Sequence, residues 1–504
     1  MNLTSVISPW FVAKARKSFK AAENVECEQL RTLKWLLHRG RFTVWGREQR
    51  VGQMTGYTDF SRGVELHPYD KLRPWVMRMM NGERDLLWPG LTRRYAQSSG
   101  TSDGKSKYIP VTDDSLRINH YRGGSEAVAH YLKNHPNSQL FDGKAFILGG
   151  SFANELHLTD PRIKVGDLSA NLIDAINPLV NLLRVPSKST ALMADWSEKL
   201  PRLIDESAKV DVTNISGVPS WFLTVLRGVI ASRGAETIHD VWPNLEVFFH
   251  GGIAFGPYRE LYREITDPTR MNYLETYNAS EGFFAVQPSP DFKGMMLLVD
   301  AGVFYELIPT DNPSSAPIPL WEAELGKTYA LIITAPNGLW RYPIGDVVKI
   351  ETLSPLTITI AGRTKSYINA FGEEVMVHNT DAALAKACST LGCRVVDYTA
   401  APVFTTLGKK GYHQWLIEFD REPQSLEEFA SVLDKCLCDE NSDYQAKRAG
   451  GIFLDRLQVV PARRGLFDAW LGATGKLGGQ RKVPRLSNDR TLIDQMLQFN
   501  STAE

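Results

Sequence analysis

The chain has 504 residues, 43% of them hydrophobic, including 12 Trp, and its 57 Lys plus Arg balance 57 Asp plus Glu. At roughly 100–200 residues per domain, this length holds two to four domains or subdomains with sizeable cores, which excludes wholesale disorder. Zero net charge argues against a nucleic-acid partner or an anionic-membrane surface, since either normally leaves a basic excess.

Apolar positions Phe11, Ala15, Phe19, Leu30, Leu33 and Leu36 recur at helical spacing, so residues 11–40 are predicted as one or two helices. The opening segment lacks the basic, apolar and small-residue succession of a secretion signal. No apolar run approaches the ~18–20 residues that span a bilayer, and "GMMLLVDAGVF" is broken by Asp300. The expectation is a soluble cytoplasmic protein. Further on, "RRYAQSS" and "KYIPVT" read as short strands flanking "QSSGTSDGKSK" (97–107), which makes that loop the tip of a hairpin. Gly100 and Gly104-Lys105-Ser106 nearly spell a P-loop, but one residue is missing between the glycines. The stretch from 113 begins with capping residues and runs helical to Pro136.

"KAFILGG" (144–150) and "LEVFFHGG" (245–252) are compact apolar runs ending in Gly pairs. Separated by helical segments near 170–184 and 219–232, they read as buried strands of an α/β sheet, whose ligands bind at the carboxyl ends of strands. From 292 to 361 the pattern turns to strands, predicting a curled antiparallel, β-rich subdomain. Beyond it, apolar-periodic helices at 376–390 and 425–437 alternate with strands "HQWLIEF" and "RLQVVP". The fold class is therefore mixed α/β. A large N-terminal domain covers 1–362, a small mobile α+β domain covers 363–504, and the boundary lies near Gly362–Phe371.

Five cysteines are too few and odd in number for a disulfide framework. Cys388-x4-Cys393 and Cys436-x-Cys438 lack zinc-ribbon spacing and sit in apolar helical patterns, which favours buried thiols over metal ligands.

Three motifs carry chemistry together: the 97–107 loop, "ETYNASEGFFA" (275–285) and "GLWRYPIGDVV" (338–348). Backbone N–H groups and the hydroxyls of Ser98, Ser99, Thr101 and Ser102 suit phosphate oxygens. Lys107 or Lys105 would neutralise the leaving phosphates. Glu281, beside Ser280, suits Mg2+, which takes one or two carboxylates plus phosphate oxygens. Asp346, in a Gly-Asp turn, suits both hydroxyls of a ribose. This is a nucleotide site without a fixed reaction.

The order "SSGTSDGKSK", "YNASEG", "RYPIGD", "GRTKSYINAFGEE", "KVPRL" resembles the Gretchen Hagen (auxin-responsive promoter) acyl-acid amido synthetase family, in style its bacterial branch, within the adenylate-forming superfamily. The resemblance runs from about residue 90 to 490. It implies a ligase with its site between a large and a small mobile domain. ATP and a carboxylic acid would give an acyl-adenylate, and an amine, typically of an amino acid, would then displace AMP to form an amide. It also implies ATP and Mg2+ at the site, with small acids and amines as partners. The loop motif S-S-G-T-S-x-G-x-x-K is matched from Ser98 through Gly100 and Gly104 to Lys107, leaving Lys105 at a variable position. By the same resemblance Tyr277 lies against adenine, Asn278 and Ser280 also bind ATP, and Glu281 holds Mg2+. Asp346 and Arg363 meet the ribose, Gly251 and Gly252 form an adenine-side pair, and Lys365 is the hinge. A small-domain lysine would reach the acyl-phosphate bond: Lys482 in "QRKVPR" is preferred to Lys476 in "TGKL". Where the plant pattern has Arg, this chain has Pro343, with Arg341 two residues earlier. Thioester formation with coenzyme A and a non-catalytic nucleotide binder remain alternatives. The acid pocket is expected between 115 and 255, around "NISGVPSWF", with His120 or Arg122 as possible carboxylate partners. Oligomeric state is not legible.

Overall fold

A computed structural model describes residues 3–98, 107–152, 156, 160–253, 255–363, 367–406, 409–451, 453–473 and 483–501. Two helices, Leu3–Glu23 and Val25–Gly40, open the chain. The second carries Glu26 and Glu28 in its first turn and Arg39 in its last, each sign complementing the helix dipole there. Leu33, Leu36 and Leu37 form its buried stripe. Gln29, also buried, donates to the carbonyls of Val299 (2.7 Å) and Val303 (3.0 Å) and accepts from the Tyr305 amide (2.8 Å). Its polar atoms thereby tie the helix to the sheet at no desolvation loss.

The chain's strands begin with β1 (Arg94–Ser98) and β2 (Lys107–Pro110), followed by β3 (Lys144–Ile147), β4 (Lys164–Gly166), β5 (Arg184–Val185), β6 (Val212–Gly217) and β7 (Val247–Gly251). Next come β8 (Asn272–Ala279), β9 (Gly282–Val286), β10 (Met295–Leu297), β11 (Phe304–Pro309), β12 (Ile318–Pro319), β13 (Thr328–Ala335), β14 (Leu339–Leu353) and β15 (Leu356–Arg363). Among the described residues, twelve of them form one sheet in the order β12-β11-β13-β14-β15-β10-β9-β8-β7-β6-β3-β5. The stretch from β8 to β5 is parallel and the rest antiparallel. The predicted β-rich segment is therefore continuous with the parallel half, through the β8–β9 hairpin. Both edge strands are two residues long. β2, β1 and β4 make a separate three-stranded sheet.

Two sequence expectations are corrected. Residues 170–184 form no single helix: Leu168–Ala175 stops, Asn177 caps a short turn Pro178–Asn181, and β5 follows. Pro178 forces that break, because the residue before a proline is pushed out of the helical region. Cys393 lies outside the helical pattern, beyond the left-handed Gly392 that ends Val377–Leu391.

Past β15, the hairpin strands β16 (Tyr367–Ile368) and β17 (Val375–Met376) lead into helices Val377–Leu391 and Leu426–Glu440. These pack beside a sheet of β18 (Arg394–Val403), β19 (Tyr412–Arg421) and β20 (Gln458–Ala462). One buried apolar cluster runs from Phe146, Ile215 and Phe248 to Phe371, Trp415 and Leu433, across the sequence-predicted boundary. Among the described residues, no helix is long and apolar enough to cross a membrane.

Candidate functional site

The carboxyl end of β7 is Gly251, in register with Thr276 of β8. A Cβ on Gly251 would lie 2.4 Å from the Thr276 carbonyl oxygen, so no larger residue fits. The next residue of β8 is Tyr277, 7% exposed, with its ring packed on Phe284 at 4.9 Å. The Tyr277 hydroxyl donates to Asp346 Oδ2 at 2.5 Å. Asp346, 6% exposed, is on β14, with β15, β10 and β9 intervening in the sheet order. In a flat sheet those strands would stand roughly 19 Å apart. The hydrogen bond therefore requires the sheet to curl, and the curl makes the hollow in which these side chains meet. Asp346 also faces Arg363 in the β14–β15 register, so both expected ribose residues come together at backbone level.

Ser280 and Glu281 form the two-residue turn between β8 and β9. Asn337 Nδ2 donates to the Glu281 carbonyl at 2.9 Å and fixes that turn. The Tyr342 hydroxyl donates to Glu281 Oε1 at 3.4 Å and accepts from Lys107 Nζ at 3.2 Å. Lys107 opens β2 directly opposite Ser98, as the hairpin expectation required. Its ammonium also stands 5.9 Å from the Tyr69 ring centroid and 5.8 Å from that of Tyr342. Burial, reinforced by the charge of Glu281, pushes the Tyr69 phenol up to about 12. It stays a neutral donor and acceptor, bridging the Tyr108 amide and carbonyl. Glu281, Lys107 and Asp346 thus gather on one curled face, around Tyr277 and Tyr342.

His250, just before Gly251, is 4% exposed and stacked on Phe255 at 4.3 Å. Burial lowers its pKa to about 3, so it is neutral. Ser99, Gly100, Thr101, Ser102, Gly104, Lys105, Lys365, Lys476 and Lys482 lie outside the described residues, as does the side chain of Arg363.

Neither candidate partner for an acid's carboxylate holds. His120 is 3% exposed, and burial lowers its pKa to about 4, so it carries no charge for a carboxylate. Arg122 is committed to Asp300, through both its carboxylate and its carbonyl, and lies 3.7 Å from Glu126. Arg341 is likewise structural. It is 4% exposed and binds Glu306 through Nε (2.9 Å) and Nη2 (2.7 Å) and the carbonyls of Ser61 (2.8 Å) and Val64 (2.5 Å) through Nη1. Tyr342 and Asn337 are site residues that sequence reasoning missed. The available signal was Tyr342's place inside "LWRYPIGD".

Three models of one family match the chain in succession: the GH3 family N-terminal domain over residues 15–271, its central domain over 296–363 and its C-terminal domain over 378–491. An indole-3-acetic acid-amido synthetase, GH3.8 of Oryza sativa subsp. indica, is 23% identical over 94% of this chain and 90% of its own length. The jasmonoyl–L-amino acid synthetase JAR6 of Nicotiana attenuata is 23% identical over 91% of this chain and 90% of its own. Among solved structures, the AtGH3.15 acyl acid amido synthetase in complex with 2,4-DB superposes with a TM-score of 0.63 at 18% identity, over 99% of this chain and 97% of that one. A 2-hydroxyisobutyryl-CoA ligase superposes with a TM-score of 0.59 at 14% identity, over 95% and 93%.

Proposed function

Because this chain belongs to the GH3 family, we propose that it is an ATP-dependent acyl-acid amido synthetase. A carboxylate oxygen attacks the α-phosphorus of ATP and pyrophosphate leaves. An amine of an amino acid then attacks the acyl carbon, AMP leaves with the carbon–oxygen electron pair, and the amine's proton passes to solvent.

The observation that carries this reading is the convergence of Tyr277–Asp346 with Lys107–Tyr342–Glu281 on one curled face. Asp346 takes the ribose hydroxyls with Arg363, and Tyr277, Asn278, Gly251 and Gly252 line the adenine side. The loop from Ser98 to Gly104 wraps the β- and γ-phosphates, closed by Lys107. Glu281 fits Mg2+, since it offers a hard anionic oxygen where phosphates would supply the remaining ligands. Bound there, the ion would neutralise charge on the phosphates. Residues 1–362 act as the nucleotide- and acid-binding body. Residues 363–504 act as the mobile partner, turning at Lys365 and delivering Lys482 to the acyl phosphate.

The test is acid-dependent exchange of labelled pyrophosphate into ATP across a panel of carboxylic acids, followed by mass measurement of products with amino acids or coenzyme A. Exchange together with amides is expected. Thioesters alone would replace the acceptor, and nucleotide binding without exchange for any acid would overturn the reading.

A further inference from the structure

Lys447, on the helix Ser442–Arg448, is 4% exposed, and burial lowers its pKa. Its ammonium stands 3.9 Å from the centroid of the Trp221 ring. Among the described residues it makes no hydrogen bond or ion pair; Asp443, Asp167 and Glu373 act on it only from a distance. The indole Nε1 of Trp221 is also buried without a partner. Both donors flank Gly372, whose φ of +89° suits glycine. A Cβ there would lie 3.3 Å from Lys447 Cε and 3.5 Å from Trp221 Nε1. Lys199 provides the contrast. Equally buried, it is satisfied by the carbonyls of Gly149 (2.5 Å) and Met193 (3.1 Å).

The place of this pair in the fold narrows its use. Trp221 is in the first turn of helix Pro219–Arg233, just past the carboxyl end of β6. Gly372 is in the turn of the β16–β17 hairpin, whose Asn369 Nδ2 donates to the Gly252 carbonyl at 3.3 Å. The spot therefore adjoins the Gly251–Gly252 edge of the nucleotide site, at the strand ends where open α/β sheets bind ligands. Trp196 and Phe453, 4.8 Å apart, add apolar walls, with Trp196 5.4 Å from Trp221. A largely buried cation with no hydrogen-bond partner is unfavourable, and since Asp443, Asp167 and Glu373 act on Lys447 only from a distance, an anion in contact would complete it.

We propose that Lys447 and Trp221 bind the free carboxylate of the amino-acid acceptor. This rests on the amido-synthetase reading. Of the two carboxylates in that reaction, the acid's is consumed in the adenylate, whereas the acceptor keeps its own through to product. That carboxylate accepts from Lys447 Nζ and Trp221 Nε1, leaving its amine to reach the acyl carbon.

The experiment uses the full-length protein, an acid that supports pyrophosphate exchange, and paired acceptors: an amino acid and its primary carboxamide. K447M is expected to raise KM for the amino acid about 10- to 100-fold, the range for a lost charge-assisted bond, while KM for the carboxamide moves less than about threefold. K447R should recover most of the difference. Should K447M also lose exchange, W221F carries the same comparison, because it keeps a ring and removes only the donor. A KM rise shared equally by both acceptors, or confined to neither, overturns the proposal. Wild-type protein that exchanges pyrophosphate with no acid, or transfers only to coenzyme A, overturns the parent reading and this one with it.

Discussion

Asp346 accepts the Tyr277 hydroxyl with both side chains buried, so on the proposed reading a ribose must share or displace that phenol. Asp346→Asn keeps the shape and removes the charge. It should weaken ATP binding roughly a hundredfold, the loss of a pair of charge-assisted hydrogen bonds. Tyr277→Phe keeps the ring and should cost less than about fivefold; titration calorimetry with ATP measures both, and an unchanged dissociation constant for Asp346→Asn removes Asp346 from the ribose. Glu281→Gln should lower Mg2+-dependent pyrophosphate exchange at least about a hundredfold, while exchange near the wild-type rate would refute the metal role. The three motifs and the Gly251–Gly252 pair stood out in the sequence because each is local and chemically unusual. Tyr342 and Asn337 were not singled out. Their partnership with Glu281 exists only once β14 lies beside the turn of the β8–β9 hairpin, a contact across 56 to 61 residues. His120 and Arg122 failed for a related reason: residue type gives a charge, but burial and Asp300 decide what the charge is for.

Strands were readable wherever apolar runs met glycines, as at β3 and β7, and the β1–β2 hairpin follows from the turn chemistry between its strands. What local pattern does not carry is the joining of parallel and antiparallel halves, which depends on long-range pairing. Arg341 shows how an element can mislead. Beside the expected ribose aspartate it invites a catalytic reading, yet its guanidinium spans from β14 to Glu306 on β11 and to the carbonyls of Ser61 and Val64. Arg341→Met would leave Glu306, 1% exposed, without its counter-charge. A loss of about 3–5 kcal/mol is expected, read as a lower denaturant midpoint with unchanged slope. A shift under about 1 kcal/mol would mean the pair contributes little.

At the scale of the molecule, the apolar cluster shared across residue 362 makes the small domain's seating a hydrophobic contact. Burial excludes water from three histidines, of which only His250 lies beside this cluster. His120 and His130 have pKa values lowered to about 4 and His250 to about 3, in each case first by burial. A depressed folded value means that the unfolded chain binds protons first. The stability from keeping these rings neutral is complete above pH 6.5 and is lost as pH falls toward the folded values. At pH 5.5 the loss is about 1.4 kcal/mol per histidine. Denaturant unfolding at pH 7.5 and 5.5 checks this, and His250→Gln should shrink the pH difference by about that amount.

The two-residue borders of the long sheet bear on behaviour outside the folded state. Exposed strand edges offer unpaired N–H and C=O groups to neighbouring chains, and short, proline-bearing edges blunt that offer. Here one border strand ends in Pro319, which has no N–H to give, and Pro186 directly follows the other. The broad sheet that curls to bring Tyr277 onto Asp346 is thus poorly suited to recruit strands from other copies, and concentrated solutions of the protein should resist fibrillar association.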